Sequence, residues 1–291
     1  KKQDSFLIIF ENIKNISLNK KLKKKYKNID FIFGNRKTKK VPYYRNQAVM
    51  FGMRKYEILL FLDSDVLPDK NIVEKHYNGH LKYNEIPVIG GAVKPSFTIK
   101  QKSIWEKIDG CMSWFTSLEG NYNKIVKFPY HLPTCNISIK LDFLRKNYIK
   151  FDPNLITGED VDFCNKIRKA GGDLLLLKKI QVTHLDRIDF KNFLQHQKNW
   201  GQHHYYLRYK NNFIIKKKEK LFYFLFFIFY PLLMPFISLI ATYLNMKPLL
   251  QYRLSLINLT LFIYLIYFYK GFFTYLELFT DFKITKLFRN K

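Results

Sequence analysis

From Leu221 to Leu244 the chain carries 24 consecutive residues without a charge, and nothing else in it restricts the available folds so strongly. About twenty apolar residues in a helix reach across the hydrocarbon core of a bilayer with every backbone group satisfied internally. A second run, Leu254 to Tyr269, has 16 uncharged residues before Lys270 and continues through Gly271-Phe272-Phe273. That length leaves a tilted span, an interfacial helix and a re-entrant segment open. Pro231 and Pro235 interrupt the first run, so a buried pair of soluble helices is the competing reading. Basic residues flank the pair, with Lys216-Lys217-Lys218 and Lys220 before it and Lys283, Lys286, Arg289 and Lys291 after it. Only Lys247 and Arg253 lie between the two runs. Under the positive-inside rule this predicts a transmembrane helical hairpin over residues 211–291, in the cytoplasmic (inner) membrane, with both outer ends facing the cytoplasm.

Residues 1–210 have a different texture. Phe6-Leu7-Ile8-Ile9-Phe10 and Ile29 to Phe33 read as short buried strands on either side of a lysine-rich helical stretch, Leu18 to Lys27. Pro42 to Met53 can start a helix, Tyr56 to Leu60 a strand, Pro87 to Gly91 another, and Trp105 to Trp114 a helix. Asn136-Ile137-Ser138-Ile139-Lys140 alternates like a strand, and Leu174 to Leu177 and Val182-Thr183-His184 supply two more. Strand and helix signals that alternate argue for a parallel α/β sheet.

The formal net charge is +27, yet 41 of the basic residues are lysine and nine are arginine. Base readout and phosphate forks favour arginine, so nucleic acid is not the expected partner. Anionic lipid headgroups and nucleotide phosphates are the more economical use of the charge. Cys111, Cys135 and Cys164 show no paired or metal-knuckle spacing, which suits a reducing compartment. The chain opens Lys1-Lys2-Gln3-Asp4 with neither an initiator methionine nor a secretory signal, and it reads as N-terminally incomplete.

Three short motifs carry chemistry. Asp63-Ser64-Asp65 follows an apolar strand, and ligands in open α/β sheets gather beyond such carboxyl ends. Two carboxylates at that spacing can hold Mg²⁺ or Mn²⁺ against a diphosphate, or simply form a solvated turn. Gly158-Glu159-Asp160-Val161-Asp162 opens a helix, where acids suit the N-terminus and where one of them could act as a general base. His184 ends a strand as a structural residue or as a ligand for a borderline metal. His76 and His80 share a helix face at i, i+4 and are expected to be solvated. His196, His203 and His204 lie in a segment that could touch diphosphate or acceptor, or form a membrane-proximal amphipathic helix.

Taken together, Tyr44-Arg45-Asn46, Leu62-Asp63-Ser64-Asp65, Thr134 to Ile139, Gly158 to Asp162 and Val182-Thr183-His184 resemble a family-two glycosyltransferase of the GT-A fold over roughly residues 6 to 208. The resemblance implies a mostly parallel nucleotide-sugar-binding sheet flanked by helices, a nucleotide-diphosphate sugar donor, a divalent cation and inversion at the anomeric carbon. It implies that Asp65 binds the metal, Asp63 the ribose or a metal-bound water, and His184 the metal or the diphosphate. Asp160 would be the base and Glu159 would shape the acceptor site, while Arg45 and Asn46 lie at the nucleotide side. The family's first strand is missing, since about 53 residues separate Phe10 from Asp63, and Glu11 falls near a base-contacting acidic position. Where processive members carry a glutamine-two-residues-arginine-tryptophan motif, this chain reads Gln197-Lys198-Asn199-Trp200. Trp200 remains, either to stack on an acceptor sugar or to pack the helix. The expected partners are a nucleotide sugar, a lipid-linked or surface-glycan acceptor and membrane lipids. The competing readings are an inactive membrane scaffold of the same fold and a basic nucleic-acid-binding protein; the surviving acidic residues argue against the first and the hydrophobic C-terminal third against the second.

Overall fold

The computed structural model describes residues 6–10, 21, 24–25, 29–33, 40–96, 103–120, 123–126, 131–155, 157–186, 189–205, 220–252 and 256–284. Two short strands, β1 (Phe6–Phe10) and β2 (Ile29–Phe33), pair in parallel as a small separate sheet. The helix α1 (Val41–Gly52) begins with a proline in its first turn, where the missing N–H costs nothing. It leads into β3 (Ile58–Leu62), a turn, the three-residue β4 (Val66–Pro68) and α2 (Ile72–Lys82). Next come β5 (Val88–Pro95), α3 (Ile104–Trp114), β6 (Asn123–Val126), β7 (Asn136–Lys140) and the short α4 (Leu141–Lys146). A reciprocal Ser103/Glu106 capping box starts α3. The chain continues through α5 (Glu159–Lys169), β8 (Leu174–His184), α6 (Phe190–Tyr205), α7 (Lys220–Gln251) and α8 (Leu256–Ile284).

The main sheet has the order β3-β7-β5-β8-β4, with β6 also paired to β8. It is mixed, not mostly parallel: β5 and β8 run parallel, while β7 is antiparallel to both β3 and β5, and β4 and β6 are antiparallel to β8. Alternating strand and helix signals do not encode direction. A parallel neighbour needs a crossover helix laid on the sheet, and the chain instead reverses between β5 and β6, so that β6 and β7 both run against β5 and β8. The two strand signals at Leu174 and Val182 are one eleven-residue strand, β8.

Both faces of the central strands are covered, which is why their sequence runs apolar without alternation. Val88, Leu174 and Leu176 join Ile137, Ile139, Phe151 and Phe163 on one face. Ile89, Leu175 and Leu177 join Ile72, Cys135 and Val182 on the other. The register of β5 against β8 shifts between Gly91 and Ala92. A Cβ on Gly91 would strike the Ile180 carbonyl and the Asn136 amide, so the backbones approach there only because the residue is glycine. Asn136 Nδ2 donates to the Ala92 and Ile180 carbonyls at 3.0 and 3.3 Å and so satisfies the irregularity.

His76 and His80 are not solvated, contrary to the expectation from their spacing; both are buried. Asn136 and Ser138 are polar residues at interior positions of β7, and buried polar groups require partners. His76 supplies them, with Nε2 at 2.9 Å from Asn136 Oδ1 and Nδ1 at 2.8 Å from Ser138 Oγ, and His80 Nε2 lies 2.8 Å from the same hydroxyl. Burial lowers the pKa of each to about 4.

The two apolar helices form an antiparallel pair. Tyr230 stacks on Tyr275, Gly271 lies against Met234, and Asn245 donates to the Tyr267 hydroxyl. Pro231, Pro235 and Pro248 lie within α7 without ending it. Ile228–Gln251 and Leu259–Glu277 are each long and apolar enough to cross a membrane, with mean hydropathies of 1.5 and 1.4.

Candidate active site

Two acidic segments far apart in sequence meet where β3 and α5 end and begin. The chain leaves β3 at Leu62 and turns through Asp63-Ser64-Asp65 into β4. Gly158 caps α5 with a φ of 74°, the left-handed region that glycine enters without steric cost. This lets the helix open with Glu159, Asp160 and Asp162 in its first turn, where unpaired N–H groups favour carboxylates.

Arg45, on the buried face of α1, joins the two segments. Its Nη2 donates to Asp63 Oδ1 at 3.1 Å, and its Nη1 donates to Glu159 Oε1. Only 8% of the side chain is exposed. Burial works against its charge, but Asp63, Glu159 and Asp160 outweigh that and hold the guanidinium more firmly protonated than usual. Behind it the Phe151 ring stacks on Phe163 at 4.0 Å and lies 5.9 Å from the guanidinium carbon.

Asp160 is strongly displaced. Burial pushes its carboxyl up to about 6, against the pull of Arg45 and of the Val161 N–H, which donates to Oδ1 at 2.8 Å. Its Oδ2 stands 3.7 Å from His131 Nε2. Glu159 is also raised, by burial and by the neighbouring Asp160, with Arg45 opposing. A held carboxyl that titrates near neutrality is suited to taking a proton from a hydroxyl.

The second grouping lies at the β4–β8 edge. Val66 pairs with His184, and the Leu185 N–H donates to the Asp65 carbonyl at 2.8 Å. His184 Nε2 is thereby set 3.5 Å from Asp65 Oδ2, while its Nδ1 is 3.5 Å from Asp186 Oδ1. Asp186 is fully buried and firmly held. Trp114 Nε1 donates to its Oδ1 at 2.8 Å, and the Ser96 N–H and Oγ donate to its Oδ2 at 2.7 and 3.1 Å. The Trp114 indole also lies 4.5 Å from the His184 ring. The imidazole is thus clamped from behind, and Asp186 is a residue that the motif reading overlooked. Its only sequence signal was the spacing His184-Leu185-Asp186.

The other residues singled out fall elsewhere. Asn46 Nδ2 donates to the Phe151 carbonyl and its Oδ1 accepts from the Phe151 N–H, both at 2.9 Å, so its amide ties α1 to the segment before α5. Trp200 packs on Leu155 and Val161 at the first turn of α5, and its Nε1 donates to His196 Nε2 at 2.9 Å. Glu11 lies outside the described residues. Among the described residues no three His, Cys, Asp or Glu side chains gather as a metal cage. Asp63 is engaged by Arg45, which leaves Asp65 and His184 as a two-donor set. Cys111, Cys135 and Cys164 are buried free thiols whose burial raises their pKa, which leaves them unsuited to nucleophilic work.

No family model matches the chain, and no curated relative matches it by sequence. Among solved structures it is similar to S. aureus TarS 1–349 in complex with UDP, with 12% identity over 98% of this chain and 83% of that one, at a TM-score of 0.46. TarS 1–349 by itself gives 12% identity, the same coverage and 0.43. A longer S. aureus TarS structure gives 13% identity over 74% of this chain and 40% of that one, at 0.42. These likenesses are loose in both sequence and backbone.

Proposed function

We propose that the protein is an inverting glycosyltransferase that moves a sugar from a nucleotide-diphosphate donor to a hydroxyl of a lipid-linked or surface-glycan acceptor at the cytoplasmic face of a membrane. The observation that supports this is the junction at Arg45, where the strand-end acid Asp63 and the helix-start acids Glu159 and Asp160 converge, with Asp160 raised to about 6. Residues 1–210 form the catalytic part in this proposal and residues 211–291 its membrane-associated part.

The acceptor oxygen attacks the anomeric carbon from the face opposite the diphosphate, and Asp160 takes the hydroxyl proton as the new bond forms. The bond between the anomeric carbon and the diphosphate oxygen breaks, and its electron pair leaves with the nucleoside diphosphate, which inverts the configuration. Glu159, held by Arg45, shapes the approach of the acceptor, and Asp63 meets the ribose side of the donor. Asp65 and His184, whose Oδ2 and Nε2 lie 3.5 Å apart, would hold a divalent cation such as Mg²⁺ or Mn²⁺. When bound, such an ion supplies Lewis-acid stabilisation of the departing diphosphate.

The test is a screen of nucleotide sugars with Mg²⁺ or Mn²⁺, reading release of nucleoside diphosphate. One donor should be hydrolysed slowly without acceptor, and EDTA or Asp65→Ala should abolish this while circular dichroism stays unchanged. A folded protein that turns over no donor would reject the transferase, and full activity in EDTA would reject the cation.

A further inference from the structure

The second apolar helix is two-faced. Leu261, Leu265, Phe268, Phe272, Leu276 and Phe279 are exposed along α8. Leu259, Ile263 and Ile266 are buried against Phe193 of α6 and Ile108, Cys111 and Met112 of α3. Further along the same side, Lys270 lies 5.1 Å from the Trp200 ring, Thr274 donates to the Gly201 carbonyl at 2.9 Å, and Glu277 accepts from Gln202 Nε2 at 3.0 Å. At about 3.6 residues per turn the exposed and the covered sets lie on opposite sides of the helix.

The cover is α6, which follows α8 from Phe193 to Gln202. A Cβ on Gly201 would strike the Lys270 carbonyl, so the two backbones touch. The outer side of α6 is polar, with Lys191, Asn192 and Gln195 exposed. If α8 crossed the hydrocarbon, α6 would be carried in beside it, and these groups would lose water without gaining partners. On α7 the exposed residues, among them Leu232, Phe236, Leu239 and Tyr243, again lie opposite the buried Tyr230, Met234, Ser238 and Asn245.

We infer that α7 and α8 lie in the plane of one bilayer leaflet, with their exposed apolar stripes in the acyl boundary and α6 above them in water. The inference rests on the membrane association proposed above. An anionic lipid surface is the occupant that these stripes fit. The α8 stripe carries no charge and the α7 stripe carries only Lys247, and that lysine, Lys216, Lys217, Lys218 and Lys220 leading into α7, and Lys283 and Lys286 at and beyond the end of α8 suit anionic headgroups. Both ends of the pair then share one side because nothing crosses.

Spin labels test this in the full chain bound to phosphatidylcholine vesicles containing phosphatidylglycerol. Leu261→Cys, Phe268→Cys, Phe272→Cys and Leu276→Cys are labelled one at a time, since the native thiols are buried. Collision with oxygen and with a water-soluble nickel chelate reports depth. The four labels should sit at one shallow depth, about 5–10 Å below the headgroups, and a label at Gln195→Cys should stay open to nickel. A depth that changes steadily along the fifteen residues from Leu261 to Leu276, which rise about 22 Å in a helix, would mean a spanning helix and overturn the proposal. Nickel access at all four sites, or shielding already present without vesicles as a second copy would give, would also overturn it. The readout needs no turnover, so it stands or falls separately from the transferase chemistry.

Discussion

The pocket where α2 meets β7 and the junction of α1, β3 and α5 both bury polar side chains near one end of the sheet, but they resolve the cost differently. Under α2 the groups are neutral. His76, His80, Asn136 and Ser138 answer one another and the β5–β8 backbone, and the cluster is closed to solvent. At the junction the groups are charged, one arginine stands among three carboxylates, and Asp63 keeps 37% of its side chain exposed. The first arrangement is a neutral network sealed inside the fold. The second holds acids in an electrostatic balance that a bound substrate can shift, and under the proposed function that difference separates the catalytic cluster from the structural one.

The sharpest way to test the contrast is Asp160→Asn, which keeps shape and removes the base. Turnover should fall by roughly two to four orders of magnitude, while donor affinity measured by calorimetry is retained. A parallel loss of affinity would make Asp160 a binding residue and Glu159 the candidate base. Arg45→Met should come next in size. It leaves buried acids without their counter-charge, which costs about 3–5 kcal/mol when one partner of a buried pair is removed. Denaturant titration measures this. The variant should also move the acid limb of the pH–rate profile upward, since the base form of Asp160, which grows as pH rises through about 6, would then form only at higher pH.

Asp186→Asn should weaken Mn²⁺ binding by about 10- to 100-fold, the usual cost of disturbing the group that orients a ligating imidazole. Electron paramagnetic resonance of free Mn²⁺ reads the affinity, with Tm as the control for packing. The smallest effect belongs to the neutral cluster. His76 and His80 titrate at about 4 in the fold and near 6.5 when unfolded. The unfolded chain therefore binds more protons in between, so their contribution is whole above 6.5 and is lost as pH falls towards 4. Tm should drop by several degrees over that window, and less in His76→Gln, whereas turnover at neutral pH should be equal in the two proteins.

Local signals in the sequence located most elements well. The apolar run before Asp63, the glycine before Glu159 and the alternation of Asn136 to Lys140 each depend on neighbours a few residues away. What stayed hidden was long-range. The spacing of His76 and His80 says that they share a face but not that Asn136 and Ser138 lie opposite it. Arg45 sits in an ordinary helix start, and only the fold shows that it spans from Asp63 to Glu159. Strand direction was misjudged for the same reason, because β7 owes its sense to the path of the chain rather than to its own residues. Asp186 went unnoticed because its partners Ser96 and Trp114 come from two other elements.

The contact of α6 with α8 bears on how the protein is made. Phe193 is fully buried, and the residues that cover it, Leu259, Ile263 and Ile266, are synthesised some seventy residues later. Until they leave the ribosome, α6 presents an apolar side with no mate, next to the glycine at which α8 must dock. A chain shortened before α8 therefore gains no solubility from losing that apolar helix. It trades the apolar stripe of α8 for a raw surface that sticks to itself, and the fold around α6 is finished only when α8 arrives.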